Sequence, residues 1–306
     1  MIRLTSLWGV RRCSCYSTWA AIELNLILLI PMLACSKLGE AKFTRVKYLI
    51  IQRISGIIIL VIFVISSFTL IKFFWVLFLN MFIMLKLGAA PFYHWVLIVG
   101  KAQGWWSIYL ILTVQKVIPL YLTQLLGCKR LIILSMLSLL IIPYSILRVK
   151  SLKKLIILSS TYTLIAIISA ILLVRYKWKT LIILYFITLA PLITITGSLR
   201  GNVVRPKSLE DKTALILWLV LFIGLLGVPP LPGFLIKLDI RLTIVHSDFW
   251  GISVLFNFRS GMLIYMYINI IILKVIYTPN MFLPPTNVTA PIKIVVGTII
   301  SVWFLF

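Results

Sequence analysis

The chain has 306 residues, 62% hydrophobic and 12% charged, and its 30 Lys and Arg against 6 Asp and Glu give a net charge of +24. A water-soluble globular chain is roughly 45–50% apolar and about 25% charged, so a soluble fold is excluded. The charges stand between long apolar runs, not over a polar surface, which also excludes a soluble nucleic-acid binder.

A spanning helix needs about 20 mostly apolar residues to cross roughly 30 Å of hydrocarbon. That rule predicts an all-α integral membrane protein with about ten transmembrane helices, at 13–35, 47–71, 73–99, 105–127, 131–147, 155–174, 180–199, 213–237, 250–277 and 290–306. Basic residues punctuate them: Lys37, Lys42 and Arg45, then Lys129 and Arg130, then Arg148, Lys150, Lys153 and Lys154, then Arg175, Lys177 and Lys179. The links are short, so residues 1–306 form a single polytopic domain. Within it, 1–12 is a basic leader, 13–199 a first helical half, 200–212 a polar link and 213–306 a second helical part. The opening MIRLTSLWGVRRCSCYS, free of acids, reads either as a mitochondrial targeting segment or as the positive flank of the first span.

Conventional sites are missing from the sequence. No GxGxxG, GxxxxGK[ST], CxxC or HExxH occurs, and Cys13, Cys15, Cys35 and Cys128 have no metal-ligand spacing. Chemistry must therefore come from ionisable residues at membrane depth, which cost about 2.5–3.5 kcal/mol each at mid-bilayer and usually face a protein interior or a water path. Lys86 and Lys116 lie near the middle of the third and fourth spans, too deep to snorkel; they either line such a path or are paired for packing. Glu23 is the one charge in the middle of 13–35, and beside a lysine its ionisation and the lysine's would depend on each other.

Prolines sharpen this pattern. Pro91 and Pro119 lack a donor for the carbonyls of Leu87 and Gln115, the neighbours of Lys86 and Lys116. The small residues Gly88, Ala89 and Ala90 let a helix or water approach the first of these breaks. Pro229, Pro230 and Pro232 in GLLGVPPLPGFLIK (224–237) require a further break, followed by Lys237, which is either a site residue or an interfacial anchor. Segments 86–91 and 224–237 would be corresponding interruptions in two inverted repeats. Arg53, His94, Arg259 and Lys274 are weaker candidates: Arg53 and Lys274 lie toward span ends and snorkel, and His94 is an interior histidine or a proton carrier. Thr113, Ser159 and Ser160 read as helix-packing hydroxyls.

KLGAAPFYHW (86–95), TVQKVIP (113–119), SLKKLIILSSTYT (151–163), GVPPLPGFLIK (227–237) and ELNLILLIPML (23–33) together resemble the subunit 2 family of mitochondrial NADH:ubiquinone oxidoreductase, respiratory complex I. The resemblance covers roughly residues 19–240; Tyr93, His94 and Leu97 depart from its pattern. It implies an antiporter-like fold of two inverted five-helix repeats, each with a broken helix, the first shortened by the helix that precedes Glu23. It also implies that Glu23 pairs with Lys86, that Lys116 passes the proton on and that Lys237 lies near the exit. The expected function is a proton-translocating membrane-arm subunit in the mitochondrial inner membrane, with other membrane-arm subunits and lipid as partners and no nucleic acid. No cofactor or metal is expected on this chain, NADH, FMN, iron–sulfur clusters and ubiquinone belonging to the whole complex. Two other classes compete. A free-standing cation/proton antiporter would use the same lysines but would need a mid-depth carboxylate for its cation, for which only Glu23 is available. A structural subunit would carry the lysines without a proton path.

Overall fold

A computed structural model describes residue 9 and residues 14–34, 40–68, 72–126, 131–147, 149, 151–173, 178–198, 220–221, 232–245 and 250–276. The polar link at 200–212, Pro229, Pro230 and the last expected span lie outside the described residues. All regular structure among the described residues is α-helix. In chain order the helices are α1 (Cys15–Ala34), α2 (Glu40–Phe68), α3 (Lys72–Leu87), α4 (His94–Ala102), α5 (Trp105–Leu112), α6 (Val114–Leu126), α7 (Leu131–Leu147), α8 (Leu152–Leu173), α9 (Trp178–Ser198), α10 (Pro232–Val245) and α11 (Trp250–Ile276). Helices satisfy their own backbone hydrogen bonds, as lipid demands. Five stretches among the described residues are long and apolar enough to cross a membrane: Cys15–Leu33, Lys42–Phe68, Trp105–Leu126, Leu152–Leu173 and Lys179–Gly197.

The core forms around α8. Beyond Lys154 it carries no charge and has apolar residues on every face, with a few Ser and Thr among them, and from Leu155 to Leu172 nearly all are buried. A helix apolar all round belongs inside a bundle. Helices α4, α5, α6, α7, α9, α10 and α11 pack against it, while α1, α2 and α3 form an adjoining layer joined through α4 and α6. The outer helices are one-sided: on α2, Ile50, Ile54, Ile57 and Val61 form an exposed apolar stripe while Gln52, Ser55, Ile59 and Ile62 point inward.

Three of the expected spans differ where a candidate residue lies. Residues 73–99 form two helices, α3 and α4, because α3 ends at Gly88, whose φ of 68° is left-handed. There Ala89 N–H donates to the Met84 carbonyl (3.0 Å) and Gly88 N–H to that of Leu85 (3.1 Å), the paired bonds of a Schellman cap. Glycine thus ends the helix three residues before Pro91, which frees no Leu87 carbonyl from a continuous helix. Residues 105–127 are interrupted at Thr113, whose N–H donates to the Tyr109 carbonyl at 3.0 Å, while α6 runs on through Pro119. Finally, α10 starts at Pro232 and continues through Lys237 to Val245, so Lys237 lies inside a helix rather than at the end of one.

Candidate functional site

Glu23 projects from the middle of α1 toward α2 and α3, where its carboxylate meets two cations. Lys86 Nζ lies 3.3 Å from Oε1 and Arg53 Nη1 lies 3.2 Å from Oε2. The Lys86 side chain is 1% exposed and that of Arg53 40%. Arg53 therefore does not simply snorkel away: it is the second partner of Glu23. The approach of α1 to α2 depends on Gly56. A methyl group there would collide with Glu23 Oε1 and would stand 3.1 Å from Lys86 Nζ. Trp19 Nε1 donates to the Gly56 carbonyl at 2.8 Å and fixes the two helices at this level.

The break after α3 serves the same cluster. It leaves Lys86 in the last turn of α3, and nearby side chains cover the carbonyls there. Trp95 Nε1 donates to Leu85 O at 2.9 Å, and Gln52 Nε2 reaches Lys86 O at 3.5 Å. A small pocket lined by Asn25, Gln52, Lys86, Gln115 and Pro119 among others, without room for a water molecule, lies between this cluster and α6. Asn25 Oδ1, turned into this buried region, has no hydrogen-bond partner among the described residues. Next to Gln115 on α6 is Lys116, 1% exposed, its Nζ likewise without a hydrogen-bond partner among the described residues. The Tyr48 hydroxyl faces the Gln115 side chain.

A second pocket, with a cavity volume of about 30 Å³, opens between α8, α9, α10 and α11. Its polar lining is Ser159, Ser160, Thr163, Tyr185, Thr188, Tyr267 and the buried Lys237. Ser159 and Ser160 donate to the backbone of their own helix, to Ile156 O (3.0 Å) and Ile157 O (2.7 Å), yet their oxygens also face this cavity. Tyr185, on α9, stands at the wall of this pocket. It donates to Leu112 O at 3.2 Å, at the α5–α6 interruption, and adjoins Ser160. Thr113 Oγ1 donates to Tyr109 O at 2.6 Å and caps α5.

The structure thus joins Glu23 with Lys86, places Lys116 beside the first pocket and Lys237 in the second. His94 is exposed and stacks on Tyr93 with ring centroids 4.3 Å apart, so it belongs to neither pocket. The side chains of Arg259 and Lys274 lie outside the described residues. Sequence reasoning missed Gly56, Gln52, Tyr185 and Tyr267, and misread Arg53. A signal for Gly56 existed: it is the only glycine within the α2 segment, one turn after Arg53 on the same face.

No protein-family model matches the chain. The NADH-ubiquinone oxidoreductase chain 2 of Locusta migratoria is 23% identical over 275 residues, 86% of this chain and 80% of its own. The protein of the same name from Lumbricus terrestris is 26% identical over 310 residues, 96% of this chain and 90% of its own. The chain is a homologue of NADH-ubiquinone oxidoreductase chain 2. Among solved structures, a chain of respiratory complex I from Thermus thermophilus with bound aureothin shares the fold, with a TM-score of 0.80 at 17% identity over 99% of this chain and 74% of that one. A chain of the Mrp complex from Dietzia sp. has a TM-score of 0.74 at 12% identity over 86% of this chain and 57% of that one. The chain is thus similar in sequence to NADH-ubiquinone oxidoreductase chain 2 and shares its fold with chains of respiratory complex I and of the Mrp complex.

Proposed function

We propose that the chain is a proton-translocating membrane-arm subunit of respiratory complex I, working in the mitochondrial inner membrane beside other membrane-arm subunits. The observation that carries this reading is the buried Glu23–Lys86 pair, 3.3 Å apart next to a broken helix, with Lys116, which has no hydrogen-bond partner among the described residues, on the adjoining helix. A buried ion pair is poor evidence for stability, since well-packed apolar residues often serve as well; its use is more readily understood as function.

Protonated Lys86 is held by the Glu23 carboxylate. When that pairing weakens, as it would when charges in a neighbouring subunit change, the ammonium gives its proton to the neutral amine of Lys116. The intervening pocket is lined by Asn25, Gln52 and Gln115 and has no room for a bridging water, so the transfer requires these polar side chains to move. From Lys116 the route runs past Tyr185 and Ser160 to the cavity of Lys237, the last acceptor on this chain. The chain binds no redox group itself. NADH oxidation and ubiquinone reduction are the work of other subunits, and this one is driven by their coupling. The ten-span count and the two inverted repeats, with breaks at Gly88–Pro91 and around Pro229 and Pro230, complete this reading.

The competing reading is a free-standing cation/proton antiporter, which the Mrp likeness favours. Against it, Glu23 is the only buried carboxylate among the described residues, and it already has two cationic partners.

The test is Lys116→Ala in the intact complex. Assembly and NADH oxidation should persist while coupled proton pumping is lost. Lys116→Arg should also impair it, because a guanidinium does not release its proton. Wild-type proton-to-electron stoichiometry in Lys116→Ala would refute the relay.

A further inference from the structure

Glu23 uses both oxygens, each with a different cation, and the two cations differ in kind. Lys86 is buried and carries an amine that can gain and lose a proton; Arg53 is half-exposed and carries a guanidinium that stays charged. Arg53 and Gly56 stand one turn apart on α2, so the same face of the helix supplies a cation for Oε2 and the space for Oε1. Trp19 locks α1 against that face at Gly56.

This arrangement matters at one moment of the proposed relay. Once Lys86 has passed its proton on, a simple pair would leave Glu23 as a buried carboxylate without a cation, which is costly. Glu23 would then compete with Lys116 for the proton and short-circuit the transfer. We propose that Arg53 is a positioning residue that prevents this: it keeps Glu23 ionised and in place while Lys86 is neutral, so one cation of the cluster is fixed and the other cycles. The proton moves from the Lys86 ammonium to the Lys116 amine, and none passes to Glu23. This inference rests on the proton-transfer reading of Glu23 and Lys86.

The test measures proton pumping beside NADH oxidation in vesicles containing the intact complex, with this chain as Arg53→Gln, Arg53→Lys, Glu23→Gln or the Arg53→Gln/Glu23→Gln double variant. Arg53→Gln should slow coupled pumping about two- to fivefold, the scale of a half-exposed ion pair. Arg53→Lys, which keeps the charge, should stay within about twofold of wild type. In the Glu23→Gln background, Arg53→Gln should add no further loss, because Arg53 acts only through that carboxylate. Normal pumping in Arg53→Gln, or additive losses in the double variant, would overturn the inference. Should Arg53→Gln not assemble, Arg53→Lys decides alone: a larger loss there means that charge is not what position 53 supplies. If Glu23→Gln itself pumps normally, the failure lies in the proton-transfer reading.

Discussion

At the residue scale, the site is three side chains and the absence of a fourth. Gly56→Ala should displace the Glu23 carboxylate, since the added methyl group would occupy the place of Oε1. The expected outcome is slowed pumping with an assembled complex destabilised by about 1–3 kcal/mol, the usual cost of overpacking, measured by thermal inactivation beside vesicle pumping. Glu23→Gln and Lys86→Met should each slow turnover, and the double variant should be no worse than the worse single, as expected for residues that act through each other. Multiplying defects in that cycle would show two independent sites. Glu23, Lys86 and Lys116 were legible in the sequence because a charge in the middle of an apolar run is expensive and conspicuous. Arg53 was not. It lies close to the basic start of α2, where Lys42, Arg45 and Lys47 look alike in sequence, and only the approach of α1 distinguishes it. Gly56 was missed for a related reason: an absent side chain has meaning only once its neighbour is in place.

At the scale of elements, the breaks in 86–91 and 105–127 were expected in the right segments for the wrong reason. Proline is the visible breaker in 86–91, but the left-handed Gly88 and its Schellman bonds end α3. Gly88→Ala should cost about 1–2 kcal/mol from the left-handed backbone alone, and its methyl group would also meet Val96. By contrast, Pro91→Ala should leave α3 ending at Leu87 in a structure of the variant. A helix continuous through residues 88–93 would return the break to proline. In the second case Pro119 remains inside α6, and the interruption falls at Thr113, six residues earlier, where no sequence rule points. The long apolar helices α7, α8, α9 and α11 were readable to within a few residues, since length and hydropathy alone define them. The start of α2 was not, because its basic first turns looked like a link; in the structure the helix begins at Glu40 and carries those lysines on its flank.

At the scale of the whole molecule, two pockets lie within one bundle, and the proposed function requires partners at its outer face. On a native gel the chain should migrate with NADH-oxidising activity; a chain found solely in a smaller particle, and active alone in vesicles, would favour the antiporter reading. The position of α8 has a consequence of another kind. Surrounded by seven other helices, it has almost no side chain that can change without a matching change elsewhere, whereas the exposed stripe of α2 accepts any apolar exchange. Divergence between species should therefore be unevenly distributed. Among chains as far apart as the 23% identity to the locust relative, substitutions should accumulate quickly along the outward stripe at Ile50, Ile54, Ile57 and Val61 and slowly in 155–172. The slow positions would then trace the centre of the bundle through evolutionary time, with α8 as its most slowly changing part.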